Sequence, residues 1–470
     1  MIRPLSLVQV ATATEGTLFG VDADFSQVNT DTRSIEAGDV FVALRGDSFD
    51  GHDFLAQAQT AGAQALVVDS MLSEINCSAI QVADTTIALG QIGALNRKNF
   101  TGKLVALTGS NGKTTVKEML SCILSGVGKV TKTQGNLNNH IGAPKTLLDI
   151  NADSDYAVIE MGASGAGEID YLAALAVPDV ALVNNVGSAH LSGFGSIDGV
   201  AAEKSKIYKH IVQNGTAVVN LDDAYAPVWL KWLAVERADI NVLTFALSNE
   251  LADVRAQSIK LNDVGGYDFS ILAKAFGSEQ ISLQLLGRQN INNALAAAAC
   301  ALALSIDIKV VQKGLNTVAQ VVGRMQTVVV NEKLQLVNDS YNANPTSVKA
   351  AAEYLSDCSQ VGVKTMLVLG ALAELGSDAN AMLSELATDL ASKKLTNLVT
   401  VGDANKVIND IFLRQSASAL NNHFASREAA ADYICDTISS SKEKIIVLVK
   451  GSRSSKMDEV VNMIITREGI

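Results

Sequence analysis

The sequence predicts an α/β chain divided into three domains. Three observations support this. The chain has 470 residues, and domains run to roughly 100–200 residues each. From about residue 100 onward, short β-branched runs alternate with helical patterns, the signature of a mostly parallel sheet covered on both faces. A second series of the same kind starts near Gln326 and continues to the end.

The first hundred residues hold the strands FVAL and ALVVD, with a helix over 52–61 between them. They form a small α/β domain, residues 1–100. The central domain is assigned to 101–319. There LVALT (104–108) precedes a helix from Lys113, and AVIEM (157–161), VALVNN (180–185) and TAVVN (216–220) repeat the pattern. Between 241 and 286 the period falls to two around a Gly265-Gly266 turn, which predicts an antiparallel patch. An Ala-rich helix follows from Gln289 to about Leu304. In residues 320–470 the strands TVVV, KLQLV, TMLVLG, NLVTVG and KIIVLVKG alternate with helices, a doubly wound, Rossmann-like arrangement.

Charge narrows the function. The balance is −12, with 37 basic and 49 acidic residues, and no basic run interrupts it. Phosphate-backbone and anionic-membrane binding need a basic patch, so neither nucleic acid nor membrane insertion is expected. Cys77, Cys122, Cys300, Cys358 and Cys435 are scattered and odd in number, which fits a reducing compartment without a disulfide framework. The N-terminus is a poor signal peptide. The most apolar stretch, 294–304, is shorter than the roughly 20 residues of a membrane span. A cytoplasmic enzyme acting on small molecules is expected.

The strongest local signal is LVALTGSNGKTTVKEML. A hydrophobic strand ends in a turn where Gly109 and Gly112 let backbone NH groups approach phosphate. Lys113 supplies a charge to the outer phosphates, and the Thr114 hydroxyl suits Mg²⁺. Two residues, Ser110 and Asn111, separate the glycines where the strict P-loop has four, so this is a variant of the mononucleotide-binding P-loop type. Glu160 ends the strand AVIEM, where an acid can hold a metal beside the nucleotide. His190 lies in the glycine-rich loop VNNVGSAHLSGFGS; on residue type alone it is either a ligand or a satisfied polar residue. For Lys204, early in the next helix, residue type alone points to a solvated charge.

Nine segments then fall into order: TGSNGKTT, GNLNNHIGAP, VIEMGAS, VNNVGSAHLSGFGS, GVAAEKSKIY, GRQNINNALAA, VGRMQ, NDSYNANPTS and VKGSRSSKM. The set resembles the Mur ligases from about Asp31 to Met457, and the shortened phosphate loop is that family's own form. The resemblance is nearest to the member that adds D-alanyl-D-alanine to a UDP-muramoyl tripeptide. It implies that ATP phosphorylates the tripeptide carboxylate and that the dipeptide amine attacks the acyl phosphate. By position it implies that Gly109, Ser110, Asn111, Gly112, Lys113, Thr114 and Thr115 cradle the β- and γ-phosphates. Thr114 and Glu160 would hold one Mg²⁺, and His190 a second together with Lys204 in its CO₂-derived, carbamylated form. Asn290 and Asn293 match adenine-facing asparagines, Asp339 the ribose-facing acid, and Arg324 a phosphate-facing arginine.

The same resemblance assigns Thr32, Arg33, Arg45, Gly46, Asp50, Gly51 and His52 to the uridine side. It assigns Asn136, Asn138 and Asn139 to the sugar and pyrophosphate. Lys450, Ser452 and Arg453 lie in a polar loop at the end of the last strand and suit the dipeptide carboxylate. A monomer is expected. Two positions depart from the family: Gln289 stands where histidine is frequent, and Ala371 of LGALAELG where an acid is frequent, so that loop is assigned no catalytic acid. The Asp-Asn-Pro-Arg element of the tripeptide-forming relative is absent, as is the Asn-Lys-x-Asp reader of guanine-nucleotide switches. Lys113, Glu160 and Lys204 are all present, against a catalytically dead scaffold.

Overall fold

The computed structural model describes residues 1–46, 48–70, 75–188, 190–393, 395–416 and 420–469. It contains three principal sheets, each with helices on its faces. In the first, strands Val28–Asn29, Val40–Val42, Ala65–Val68 and Ser78–Gln81 run parallel, and Thr17–Phe19 closes one edge antiparallel. The helix expected over 52–61 begins as a 3-10 turn, Gly51–Phe54, and continues as the α-helix Leu55–Thr60. The Asp50 carboxylate starts it by accepting from the His52 amide.

The nine-stranded second sheet places β1 (Lys103–Thr108) at its functional centre, followed by helix α1 (Lys113–Leu124). Strand β2 (Tyr156–Glu160) pairs with one edge of β1, and β3 (Val180–Val183) with the other, both parallel. Helix α2 (Ile197–Ser205) follows β3. Of the antiparallel patch expected over 241–286, Val254–Leu261, Tyr267–Ala273 and Gly277–Leu283 pair antiparallel, whereas Asn241–Ala246 is parallel to its neighbours and continues the main sheet. Helix α3 (Gln289–Ala303) packs on α1, and its alanines 294 and 296–299 are fully buried. Small side chains there let two helices share one sheet face without overpacking.

The third sheet contains β4 (Leu334–Asp339), helix α4 (Pro345–Gln360), β5 (Lys364–Leu369) and β6 (Ile445–Lys450). The spatial order is Gln326–Val330, β4, β6, β5, Asn397–Val401, Leu420–Phe424, parallel except for the first. The last of these strands was not anticipated, because LNNHF lacks the apolar run that marks an interior strand. As an edge strand it has no need of one. Asp339, Leu369 and Lys450 are in register across three strand ends, so their carboxyl ends open on one cleft. Among the described residues no helix is long and apolar enough to cross a membrane.

Asn96 joins the first two layers. Fully buried, it accepts from the Ile2 amide at 2.9 Å and donates to the Leu147 and Ile150 carbonyls at 2.8 Å each. Asn96→Leu keeps the branched shape but strands these groups, so urea unfolding should show a loss of roughly 2–4 kcal/mol. An unchanged midpoint would mean that water replaces the amide.

Candidate active site

A cleft of about 450 Å³ lies between the second and third sheets. Its floor is the phosphate loop. Helix α1 has no side-chain N-cap, since Gly112 occupies that position with φ +79°. The amides opening the helix are therefore left for an anion, on the positive end of the helix dipole. The loop is pinned from beneath. The Asn185 side chain accepts from the Asn111 amide at 2.8 Å and donates to its carbonyl at 3.1 Å. Asn184 Nδ2 donates to the same carbonyl at 3.0 Å and to Asn293 Oδ1 at 2.9 Å, and Asn293 in turn donates to Asn290 Oδ1 at 2.8 Å. Lys113 Nζ donates to Gly109 O at 2.6 Å, folded back over the loop. Burial, and secondarily the Arg324 charge, push its ammonium below the ordinary lysine value, while Glu160 opposes this.

Glu160 is buried at the end of β2. Its Oε1 accepts from Thr114 Oγ1 at 3.2 Å and from Asn138 Nδ2 at 2.8 Å, but Oε2 has no hydrogen-bond partner. Lys117 Nζ lies 3.8 Å from Oε2 and donates instead to Thr133 O. Gly162 makes room for this arrangement, because a Cβ there would sit 2.8 Å from Asn138 Oδ1. A buried carboxylate oxygen that accepts no hydrogen bond, beside a threonine hydroxyl, fits a hard divalent cation. Among the described residues no three of His, Cys, Asp and Glu converge on one point. A magnesium ion held here would complete its coordination with water and phosphate oxygens, as is usual for that ion.

Lys204 is 2% exposed, contrary to the solvated charge its residue type suggested. Among the described residues its Nζ has no hydrogen bond or ion pair. The neighbouring Glu203 is already bound to the Gly167 and Ile169 amides and to Lys206. Burial, with the Lys113 charge second, pushes the Lys204 ammonium down to about 7. His190 lines the cleft with its Nδ1 2.6 Å from Glu374 Oε2. Its imidazolium is disfavoured, by burial first, although Glu374 acts in the other direction.

The far wall comes from the third sheet. Arg324 stacks on Tyr341, 4.2 Å from the ring centre. Asp339 and Lys450, expected on two different ligands, bond each other at 2.7 Å as in-register strand ends. Asp339 also accepts from the Met325 amide, and Lys450 donates to Asn342 O. Both still face the cleft. Asn344, the N-cap of α4, donates to Asn111 Oδ1 at 2.8 Å and so ties the third sheet to the phosphate loop.

Other expected residues lie elsewhere. Gly109, Asn139, Lys204, Ser452 and Arg453 do not line the cleft, whereas Asn136 and Asn138 do. Asn139 accepts from the Ile141 and Gly142 amides, Ser452 Oγ lies 3.0 Å from Ser454 Oγ, and Arg453 is exposed beside Asp458. Thr32, Arg33, Arg45, Gly46, Asp50, Gly51 and His52 also lie outside it. Arg33 pairs with Asp31 at the surface. Arg45 contacts Asp50 and Asp69, and buried His52 sits between the same two carboxylates. Asn184, Asn185, Asn344 and Glu374 escaped the sequence reading. The pair Asn184-Asn185, polar residues at the end of a buried strand, carried the one signal that could have found them.

A variant phosphate loop facing a buried acid, with a separate domain closing the cleft, defines an ATP-dependent ligase site. Family models agree: Mur ligase family, catalytic domain, matches residues 24–94; Mur ligase middle domain, 107–301; and Mur ligase, glutamate ligase domain, 323–453. The UDP-N-acetylmuramoyl-tripeptide–D-alanyl-D-alanine ligase of Escherichia coli (strain K12) is 38% identical over 457 residues, 97% of each chain. A crystal structure of MurF from Acinetobacter baumannii superposes with a TM-score of 0.89 at 34% identity over 99% of each chain. MurF ligase from Thermotoga maritima, solved in complex with ADP, gives 0.80 at 27% identity, covering 93% of this chain and 96% of that one. The chain belongs to the Mur ligase family.

Lys113→Ala should lower kcat by about 10³-fold or more, since it removes a cation from the transferring phosphoryl group. Thermal stability should be retained, because the residue opens a helix and fills no core. Near-normal phosphate release from the folded variant would remove the phosphate-loop assignment.

Proposed function

We propose that the chain is the family member that makes the UDP-muramoyl pentapeptide used in peptidoglycan synthesis. The γ-phosphoryl group of ATP passes to the terminal carboxylate of a UDP-N-acetylmuramoyl tripeptide, and ADP leaves. The amine of D-alanyl-D-alanine then attacks the acyl carbon. A C–N bond forms, phosphate departs with the C–O electron pair, and the amine gives up a proton. The observation that carries this reading is the uncapped start of α1, with Lys113 and the Glu160 oxygen that accepts no hydrogen bond facing one cleft. The full-length similarity to the Escherichia coli ligase supports the choice of substrates.

Within this reading, residues 101–319 take ATP, 1–100 the uridine end and 320–470 the amine. The opening amides of α1 and Lys113 hold the phosphates, and Thr114 and Glu160 hold Mg²⁺. Bound magnesium would neutralise charge on the phosphate oxygens during transfer. Arg324, fixed against Tyr341, reaches the same phosphates from the opposite wall. His190 and Lys204 form a second metal position. A buried lysine without an acid partner suits carbamylation: the neutral amine adds to CO₂ and loses a proton, and the resulting anion can ligate a cation. The need for ATP and the absence of any basic patch fit a cytoplasmic enzyme of small-molecule substrates.

Two measurements test this. Product mass after incubation with ATP, Mg²⁺ and UDP-muramoyl tripeptide should show a D-alanyl-D-alanine adduct, with D-alanine or L-alanyl-L-alanine reacting far more slowly. Equally fast addition of a single amino acid would point to the tripeptide-forming relative. With ¹³C-bicarbonate, the wild type should show a carbamate carbon resonance that Lys204→Met lacks. Lys204→Arg should be as inactive as Lys204→Ala, since a guanidinium forms no carbamate; an active Lys204→Arg enzyme would rule it out.

A further inference from the structure

We propose that Glu374 is a positioning residue for the reaction: supplied by the third sheet, it holds His190 through Nδ1 and leaves Nε2 for the second metal position. The inference rests on the reading of His190 and Lys204 given above. Glu374 follows β5, in the loop that the sequence left without a catalytic acid. Its Oε2 lies 2.6 Å from His190 Nδ1, and both residues line the cleft. The two loops meet from different domains. Short helical turns at Leu191–Phe194 and Gly376–Asp378 pack against each other beside the pair.

Backbone geometry points the same way. Glu374 has φ +62° and His190 φ +55°, a left-handed conformation that costs energy in any residue with a Cβ. Such conformations persist where the surroundings enforce them, and they cluster at functional sites. Here two of them touch across a domain boundary. Lys113, Lys204 and Glu168 are further charged neighbours of His190, and Glu374 is the one that bonds its Nδ1. Metal-ligating histidines generally give their other nitrogen to a carboxylate or carbonyl, which fixes ring orientation. Glu374 is the carboxylate in position to do so.

One consequence separates this from a plain structural role. The first metal position, built on Thr114 and Glu160, lies wholly in the second sheet's domain and should not depend on Glu374. The second is complete only when the third sheet delivers its carboxylate.

Mn²⁺ binding, followed by electron paramagnetic resonance with a nonhydrolysable ATP analogue and UDP-muramoyl tripeptide, tests this. The full-length wild type should bind two ions. Glu374→Ala should retain the first and weaken the second by about 10-fold or more. Glu374→Gln, whose amide oxygen still accepts from Nδ1–H, should fall between. Small-angle scattering should show the same compaction in all three proteins. Unchanged affinity for the second ion in Glu374→Ala would overturn the inference while leaving the proposed function intact. Lost compaction, or equal weakening of both ions, would make Glu374 a structural latch and overturn it as well. A wild type binding a single ion would remove the second metal position, and this inference with it.

Discussion

At Gly112 the phosphate loop passes so close to two asparagines that a Cβ would lie 2.3 Å from Asn293 Oδ1 and 2.7 Å from Asn184 Nδ2. That approach fixes where α1 begins, and therefore where its free amides point. Asn184 belongs to the loop after β3 and Asn293 to α3, so three elements meet at one glycine. The amide chain runs from buried Asn290 through Asn293 and Asn184 to half-buried Asn111, and its donated hydrogen bonds hold the loop's geometry although Asn184 Oδ1 has no partner. The loop is thus shaped before any phosphate arrives. Lys113, bonded to Gly109 O, needs only to swing its side chain.

The cations gathered around this loop work against one another. Arg324 lowers Lys113, and Lys113 lowers Lys204, each in addition to burial. In a chain with a net charge of −12 this local excess of positive charge is expensive without an anion, and a polyphosphate relieves it. Glu160, buried at the floor, offsets part of this, since its charge raises Lys113 by more than Arg324 lowers it. Keeping these cations buried is therefore a cost that the free protein carries. Lys204 shows the point most clearly. Its depressed pKa means that burying the ammonium costs stability fully below about pH 7, and the cost fades as pH rises toward the value of an unfolded lysine.

What the sequence disclosed follows a physical division. The phosphate loop and Glu160 were legible because strand, glycine turn and helix are contiguous, and because an acid at the end of a buried strand stands out. The Asp339–Lys450 bond was not legible: it depends on β4 and β6 being neighbours, and 111 residues separate the partners. His52 was read as a ligand-facing residue, yet its ring lies between Asp50 and Asp69, and only the fold brings Asp69 there. The burial of Lys204 was equally hidden, since a helix lysine reads as solvated until the packing of that helix is known. Glu374 was hidden in the same way, since only the fold brings its loop against His190.

The division of the site between two sheets has an energetic logic. The third sheet approaches the phosphate loop through side-chain contacts such as Asn344 to Asn111 and Glu374 to His190. Polar contacts of this kind exchange readily with water, so separating the domains costs far less than parting an apolar interface of the same extent. An enzyme with the proposed activity would have to admit a large nucleotide-sugar peptide, a second nucleotide and a dipeptide, and such an opening would serve it. It must also keep water from an acyl phosphate once formed, which calls for a closed state. In the proposed reaction, contacts aimed at Asn111 and His190 would serve both needs, because each touches a loop assigned to phosphate or metal. Arg324 lies on the same wall as these contacts, so parting them would also carry its guanidinium away from the phosphate loop.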